Sequence, residues 1–260
     1  MNELVSIIMP SYNTAEYISS AINSVVSQSY PNWELIIVDD CSTDKTENII
    51  SQYLPEKRIR YLKNDRNVGA AETRNRALRE AKGKWIAFLD SDDMWHSEKL
   101  MKQIHFMEDH NYFFSYTEYS EINNDGELNG IRVSGPRVIT HTGFLNYCWP
   151  GCLTVMYDRE RVGLVQIKGI KKNNDYAVWL NVSKKADCYL LKESLAYYRR
   201  GRKGSISTNS TIKMIKWHYN LFRDEEDYSV VYSLFNTARN LVFGVYKKKH
   251  YVKKDHRQAC

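Results

Sequence analysis

Two rhythms of apolar residues alternate along the first part of this chain. Val5-Ser6-Ile7-Ile8-Met9, Trp33-Glu34-Leu35-Ile36-Ile37-Val38, Ile59-Arg60-Tyr61-Leu62 and Trp85-Ile86-Ala87-Phe88-Leu89 are near-continuous apolar runs of strand length. Such runs predict strands buried on both faces of a parallel sheet. Between them the spacing turns helical. Asn13-Thr14-Ala15-Glu16 has capping-box spacing, and Tyr17, Ile18, Ala21, Ile22, Val25 and Val26 follow on one face. Cys41-Ser42-Thr43-Asp44 can cap a second helix, with Ile49, Ile50, Tyr53 and Leu54 as its buried stripe. A third helix is expected over 70–81, closed by Gly83, and a fourth from Ser97 through Met107. Strand and helix in alternation predict an α/β fold with a doubly wound, mostly parallel sheet over residues 1–110.

Beyond Tyr112 the rhythm weakens. Short aromatic and β-branched runs around the turn Asn123-Asn124-Asp125-Gly126 predict mixed strands. A helix containing Val178, Trp179, Leu180 and Val182, and a strand at Asp187-Cys188-Tyr189-Leu190-Leu191, complete a second half over 111–208. Tyr198-Arg199-Arg200-Gly201-Arg202-Lys203-Gly204-Ser205 reads as a mobile basic loop. Residues 209–260 hold two helices and a basic tail; the second helix puts Val230, Val231, Leu234, Phe235, Ala238, Leu241, Val242 and Val245 on one face.

At 260 residues, 43% hydrophobic and 26% charged, the chain has the composition of a soluble globular protein. Its five cysteines are scattered, without the paired spacing of a zinc site, and read as free thiols of a reducing cytosol. The start, Met1-Asn2-Glu3-Leu4-Val5, predicts no secretion signal. Lys247, Lys248, Lys249, Lys253, Lys254 and Arg257 stand against one acid, Asp255, so nearly all of the net +6 lies in the tail. The body is close to neutral, which disfavours nucleic acid as its partner.

The chemistry gathers where strands end. The Trp85–Leu89 run stops in Asp90-Ser91-Asp92-Asp93, and the Trp33–Val38 run stops in Asp39-Asp40. Open α/β sheets bind ligands in the crevice beyond the carboxyl ends of their strands. Carboxylates crowded there repel, and a magnesium or manganese ion shared with substrate phosphates would offset them. Taken alone, these acids and Asn174-Asp175 could equally be helix caps. Trp33, Trp85 and Trp179 read as core, and Trp95 and Trp149 as candidates for acceptor contact. His96, His105 and His141 lack metal-ligand spacing.

Val5 to Asn13, Val38-Asp39-Asp40-Cys41-Ser42-Thr43-Asp44, Asn67-Val68-Gly69 with Arg74-Asn75, and Phe88-Leu89-Asp90-Ser91-Asp92-Asp93 together resemble the family 2 glycosyltransferases. Asn174-Asp175-Tyr176-Ala177-Val178-Trp179-Leu180 and the Tyr198–Ser207 loop extend the resemblance more weakly. It implies a GT-A fold and inverting transfer from a nucleotide-sugar donor. Pro10, Tyr12 and Asn13 would line the nucleoside pocket. Asp40 would accept the uracil N3 hydrogen, pointing to a UDP-sugar, and Arg74 would contact the diphosphate or base region. Asp90 and Ser91 would face the ribose side, Asp92 would ligate Mn2+ or Mg2+, and Asp175 would be the general base.

Two positions depart from the family pattern. Asn174 stands where a Glu is usual, and Gly201 lies where a His often follows the Tyr-Arg pair. Arg202 and Lys203 are expected to supply phosphate-binding charge instead. The implied function is sugar transfer to a saccharide acceptor, lipid-linked in kind, for bacterial lipopolysaccharide, O-antigen or capsule. Its place would be cytoplasmic, peripheral on the inner face of the membrane, where the basic tail meets an anionic surface. The alternatives are a nucleotide-sugar-binding protein without transfer activity and a nucleotidyltransferase.

Overall fold

The computed structural model describes residues 2–201 and 211–255 of the chain. Strand β1 (Val5–Ser11), helix α1 (Ile18–Val26), β2 (Trp33–Asp39), α2 (Thr46–Ser51), β3 (Ile59–Lys63), α3 (Ala70–Glu80) and β4 (Trp85–Phe88) alternate as expected. Strand β1 lies between β2 and β4, parallel to both, and β3 adds parallel to β2. This is why β1, β2 and β4 carry apolar residues on both faces. Ile8, Ile36, Val38, Ile86 and Phe88 pack beneath α3. Val5, Ile7, Met9, Leu35, Ile37 and Ala87 pack on the other face against α1 and α4 (Lys99–His110).

Beyond a two-residue β5 (Met94–Trp95), the second half comprises β6 (Phe114–Ile122), β7 (Leu128–Val133), β8 (Val138–Ile139), α5 (His141–Asn146), β9 (Met156–Asp158), α6 (Arg159–Val162), α7 (Asn174–Ser183) and β10 (Cys188–Arg199). Helices α8 (Thr211–Asn220) and α9 (Val230–His250) and strand β11 (Val252–Lys254) follow. One sheet runs through both halves in the order β11-β7-β6-β9-β4-β1-β2-β3. It turns antiparallel at β9, which joins β4 to β6. Strand β10 runs parallel to β6 and antiparallel to β5 and β8.

Several local expectations are corrected. The capping box does not form: Asn13 is left-handed at φ 49°, and the amides of Tyr17 and Ile18 donate to the Thr14 carbonyl instead. Leu54 is exposed, because α2 ends at Ser51. Gly83 is not a left-handed helix terminator. A Cβ there would stand 2.6 Å from the Leu4 carbonyl oxygen and the Ser6 nitrogen, so its role is close approach to β1. Tyr198 and Arg199 end strand β10 rather than opening a loop.

Helix α9 is inverted relative to expectation. Its packed seam is Ser233, Asn236, Thr237 and Asn240, whereas Val231, Leu234, Phe235, Val242 and Val245 are exposed, Val231 at 79% and Val245 at 70%. Polar side chains can face the body because their hydrogen bonds are met, either within the helix or across the interface. Thr237 Oγ1 donates to the Ser233 carbonyl (2.7 Å), and Asn240 Nδ2 donates to the Tyr176 hydroxyl (2.7 Å).

Candidate active site

The carboxyl ends of β1, β2 and β4 meet along one edge, and their loops are stitched together. Asn13 Oδ1 accepts from the Thr43 amide (2.8 Å), while the Asn13 amide donates to Ser42 Oγ (2.9 Å). Thr14 and Ala15 donate backbone N–H groups to Thr46 Oγ1 and Asp44 Oδ2. Asp39, fully buried, accepts from Ser42 and from the Tyr61 hydroxyl. Asp40 accepts from the Val68 amide and Asn64 Nδ2 on Oδ1, and from the Gly69 amide on Oδ2, at 2.8–2.9 Å. This carboxylate thus fixes the entry to α3. Tyr12, 47% exposed, stands open at the end of β1, and Pro10 sits beside it. Proline is tolerated at this point because pairing with β4 has already ended at Ile8.

The acidic turn after β4 is held from the far end of β10. The Arg199 amide donates to Asp93 Oδ1 (2.8 Å), and its guanidinium donates to the carbonyls of Asp92, Asn123 and Asn124. Burial, reinforced by the charges of Asp92 and Asp90, pushes the Asp93 carboxyl well above the usual carboxylate range. Nothing in the local spacing of Arg199 announced this anchor, since the two partners are more than a hundred residues apart.

Helix α3 delivers Arg74 into the crevice. It is 3% exposed, and its Nη2 donates to Asp90 Oδ1 at 3.0 Å and to Cys152 Sγ at 3.6 Å. Its Nε and Nη1 are buried with no hydrogen-bond partner among the described residues. Unmet donors of a buried guanidinium are costly, and an anionic ligand would satisfy them. Asp175, in the first turn of α7, belongs to the same electrostatic group. Burial pushes its carboxyl up, the Arg74 charge opposes that, and Asp90 reinforces it. Around it stand Cys148, the α8 residue His218 and the α9 residue Lys247.

Asp40, Arg74, Asp90, Ser91 and Asp92 therefore share the sheet edge with Pro10, Tyr12 and Asn13, and Asp175 reaches it from α7. Arg202 and Lys203 lie outside the described residues. Trp95 and Trp149 are core residues, 3% and 4% exposed, with indole N–H groups donating to the Leu153 and Gly143 carbonyls. That overturns their assignment as acceptor contacts. Among the described residues no three His, Cys, Asp or Glu side chains converge as a metal cage. The donor set of Asp92 and its neighbours, hard oxygens on a crowded acidic turn, nonetheless fits magnesium or manganese, which take one or two carboxylates and complete their shell with phosphates and water.

The sequence profile described as "Glycosyl transferase family 2" matches residues 6–150, more than half of the chain. The chain belongs to glycosyl transferase family 2. This family 2 glycosyltransferase is 44% identical over 216 residues to TuaG of Bacillus subtilis (strain 168), named for teichuronic acid biosynthesis, covering 82% of this chain and 83% of that one. It is 38% identical over 251 residues, 95% of each chain, to WfgD of Escherichia coli, named as UDP-Glc:alpha-D-GlcNAc-diphosphoundecaprenol beta-1,3-glucosyltransferase. The fold is GT-A: TarS 1–349 of S. aureus, solved in complex with UDP-GlcNAc, superimposes with a TM-score of 0.72 over 95% of this chain and 74% of that one, at 20% identity. As a family 2 glycosyltransferase the protein is an enzyme that transfers a sugar.

Proposed function

We propose that this glycosyltransferase moves a sugar, with inversion, from a UDP-sugar to a hydroxyl of a lipid-linked saccharide during bacterial surface-polysaccharide synthesis. The observation that carries the reading is Arg74, a buried guanidinium with two unmet nitrogens between the strand-end acid Asp90 and the α7 acid Asp175. WfgD, similar along nearly the whole chain, is named for UDP-Glc as donor and a diphosphoundecaprenol-linked GlcNAc as acceptor. UDP-Glc holds its sugar as the α anomer and the named product is β, so a single displacement accounts for the change.

In that displacement the acceptor oxygen bonds to the anomeric carbon while the bond to the diphosphate breaks, and UDP leaves with the electron pair. Asp175 takes the acceptor proton, in the manner of the base in an inverting glycosidase with an alcohol in place of water. The unmet donors of Arg74 face the diphosphate, Tyr12 lies against the uracil ring, and Asp40 accepts the N3 hydrogen. One lone pair of Asp40 Oδ2 remains for that bond beside the Gly69 amide. A divalent cation on Asp92 would supply charge neutralisation at the leaving diphosphate.

The exposed apolar stripe of α9 supports a place for the enzyme at a membrane surface. No acid occurs from Val230 to His250, and Lys248, Lys249, Lys253 and Lys254 are exposed just beyond the stripe. An anionic membrane surface, where a lipid-linked acceptor resides, complements both features. Among the described residues no helix is long and apolar enough to cross a membrane.

UDP release from a panel of UDP-sugars, with GlcNAc-diphospholipid as acceptor, tests the activity. Asp175→Asn should keep donor affinity and lose transfer by roughly 10²–10⁴, the worth of a positioned base. Asp92→Ala should instead lose the gain in UDP affinity that manganese brings. Transfer by Asp175→Asn within about threefold of the parent, well short of that range, removes Asp175 from the mechanism.

A further inference from the structure

The thiol of Cys152 stands in the Arg74 cluster, and nothing in its sequence spacing announced it there. It opens a short 3-10 turn, Cys152–Thr154, between α5 and β9. That turn is pinned from its surroundings. The Trp95 indole N–H donates to the Leu153 carbonyl (2.7 Å), and Gln103 Nε2 from α4 donates to the Thr154 carbonyl (3.0 Å). Thr154 Oγ1 closes the turn by donating to the Gly151 carbonyl (2.7 Å). At Gly151 a Cβ would stand 3.1 Å from the Tyr119 ring, so the turn lies tight against β6. The thiol is thus presented on a fixed support, with the residue 7% exposed.

Cys152 Sγ accepts from Arg74 Nη2 at 3.6 Å and donates to Asp90 Oδ1 at 3.9 Å. Arg74 Nη2 also donates to Asp90 Oδ1, at 3.0 Å, so guanidinium, carboxylate and thiol close a triangle. Burial, reinforced by Asp90, pushes the thiol well above its ordinary range, and it keeps the proton that this donation needs. A guanidinium carries five N–H donors, two of them on Nη2. Asp90 takes one of that pair and Cys152 the other. The donors that remain belong to Nε and Nη1, the two buried nitrogens with no partner among the described residues.

We propose that Cys152 is a positioning residue for the donor diphosphate: its thiol completes the hold on Nη2 and so turns the Nε and Nη1 edge of Arg74 toward the phosphates. The inference rests on the reading of Arg74 as the diphosphate contact. Asp90 alone would leave the planar fork free to swing about one bonded nitrogen, and a second partner on that nitrogen removes the swing. A thiol suits the task because it is a weak, neutral acceptor. It fixes the direction of the guanidinium without cancelling the charge that the ligand needs, as a second carboxylate would.

Calorimetric titration of the full chain with UDP, manganese present, reads this hold. Cys152→Ala should weaken UDP binding by about fivefold, the worth of one misplaced buried donor. Cys152→Ser, whose hydroxyl also accepts and donates, should recover most of the loss. In transfer assays the deficit should fall on the donor KM and leave the acceptor KM unchanged. A double-mutant cycle separates positioning from packing: in an Arg74→Met background, Cys152→Ala should cost no further UDP affinity. Binding by Cys152→Ala within about twofold of the parent, short of one buried donor, overturns the proposal. An equal loss with and without the Arg74 guanidinium does the same. Should Cys152→Ala not fold, Cys152→Val, apolar and branched, carries the same comparisons. Arg74→Met alone decides the underlying reading: unchanged UDP affinity there removes Arg74 from the diphosphate, whereas a loss there with none in Cys152→Ala removes only the thiol.

Discussion

Asp40 holds the fold together at the edge of the proposed donor site. Its two oxygens take three hydrogen bonds from Asn64, Val68 and Gly69, so the entry to α3, and with it the placement of Arg74, hangs on a carboxylate. Asp40→Asn replaces one accepting oxygen by a donor facing an N–H group. The expected loss is about 1–3 kcal/mol, the cost of an unmet buried polar group, read as a fall of several degrees in Tm. Thermal unfolding of the ligand-free variant checks this, and an unchanged Tm would free Asp40 for ligand binding alone. At this scale the sequence was informative on place, since Asp40, Asp90 and Asp92 stand just beyond the strand ends where the apolar runs stop. It was silent on Arg199 and Gly83, whose partners in the acidic turn and in β1 lie far along the chain. Local spacing carries no trace of such contacts.

Among the elements, β1, β2 and β4 were legible because parallel strands buried on both faces leave an unbroken apolar run. Helix α9 was legible as amphipathic but not as to which side meets the protein. Periodicity reveals two faces, and only the burial of Ser233, Asn236, Thr237 and Asn240, with Asn240 bonded to Tyr176, shows that the polar one is inside. Helix α4 carries a different anomaly. Lys99 is fully buried over the Trp95 ring at 4.0 Å, and its ammonium has no hydrogen-bond partner among the described residues. Burial lowers its pKa to about 7. Between that value and the unfolded one the unfolded chain binds more protons, so stability should rise as pH climbs from about 7 toward 10, and the full burial penalty is present below 7. Lys99→Met removes the penalty and keeps the packing. We expect it to raise unfolding stability at pH 6 by about 1 kcal/mol and to flatten this slope. Denaturant titrations at pH 6 and 9.5 decide it, and a large loss at both would mean that the ammonium is structurally required.

At the scale of the whole molecule, one sheet and one late helix organise everything else. The outward stripe of α9 should bring the protein to vesicles containing anionic lipid, with the exposed lysines adding on the order of 1 kcal/mol each and losing it as salt rises. Co-sedimentation with anionic and neutral vesicles tests this. Val242→Glu with Val245→Glu should abolish binding without altering the fold, and equal partitioning of the two proteins would refute the membrane role. The same helix also bears on how the protein is made. Its inner seam docks on Asn146, Tyr147, Trp149 and Tyr176, all of which leave the ribosome earlier. At about 5–20 residues per second, roughly 4–14 s separate the synthesis of Asp175 from that of Lys247. During that interval the nascent chain has the segments on which α9 will dock, but neither the complete helix nor β11 beyond it. The exposed stripe of α9 and the contacts of its inner seam then arrive together, in a single late step of synthesis.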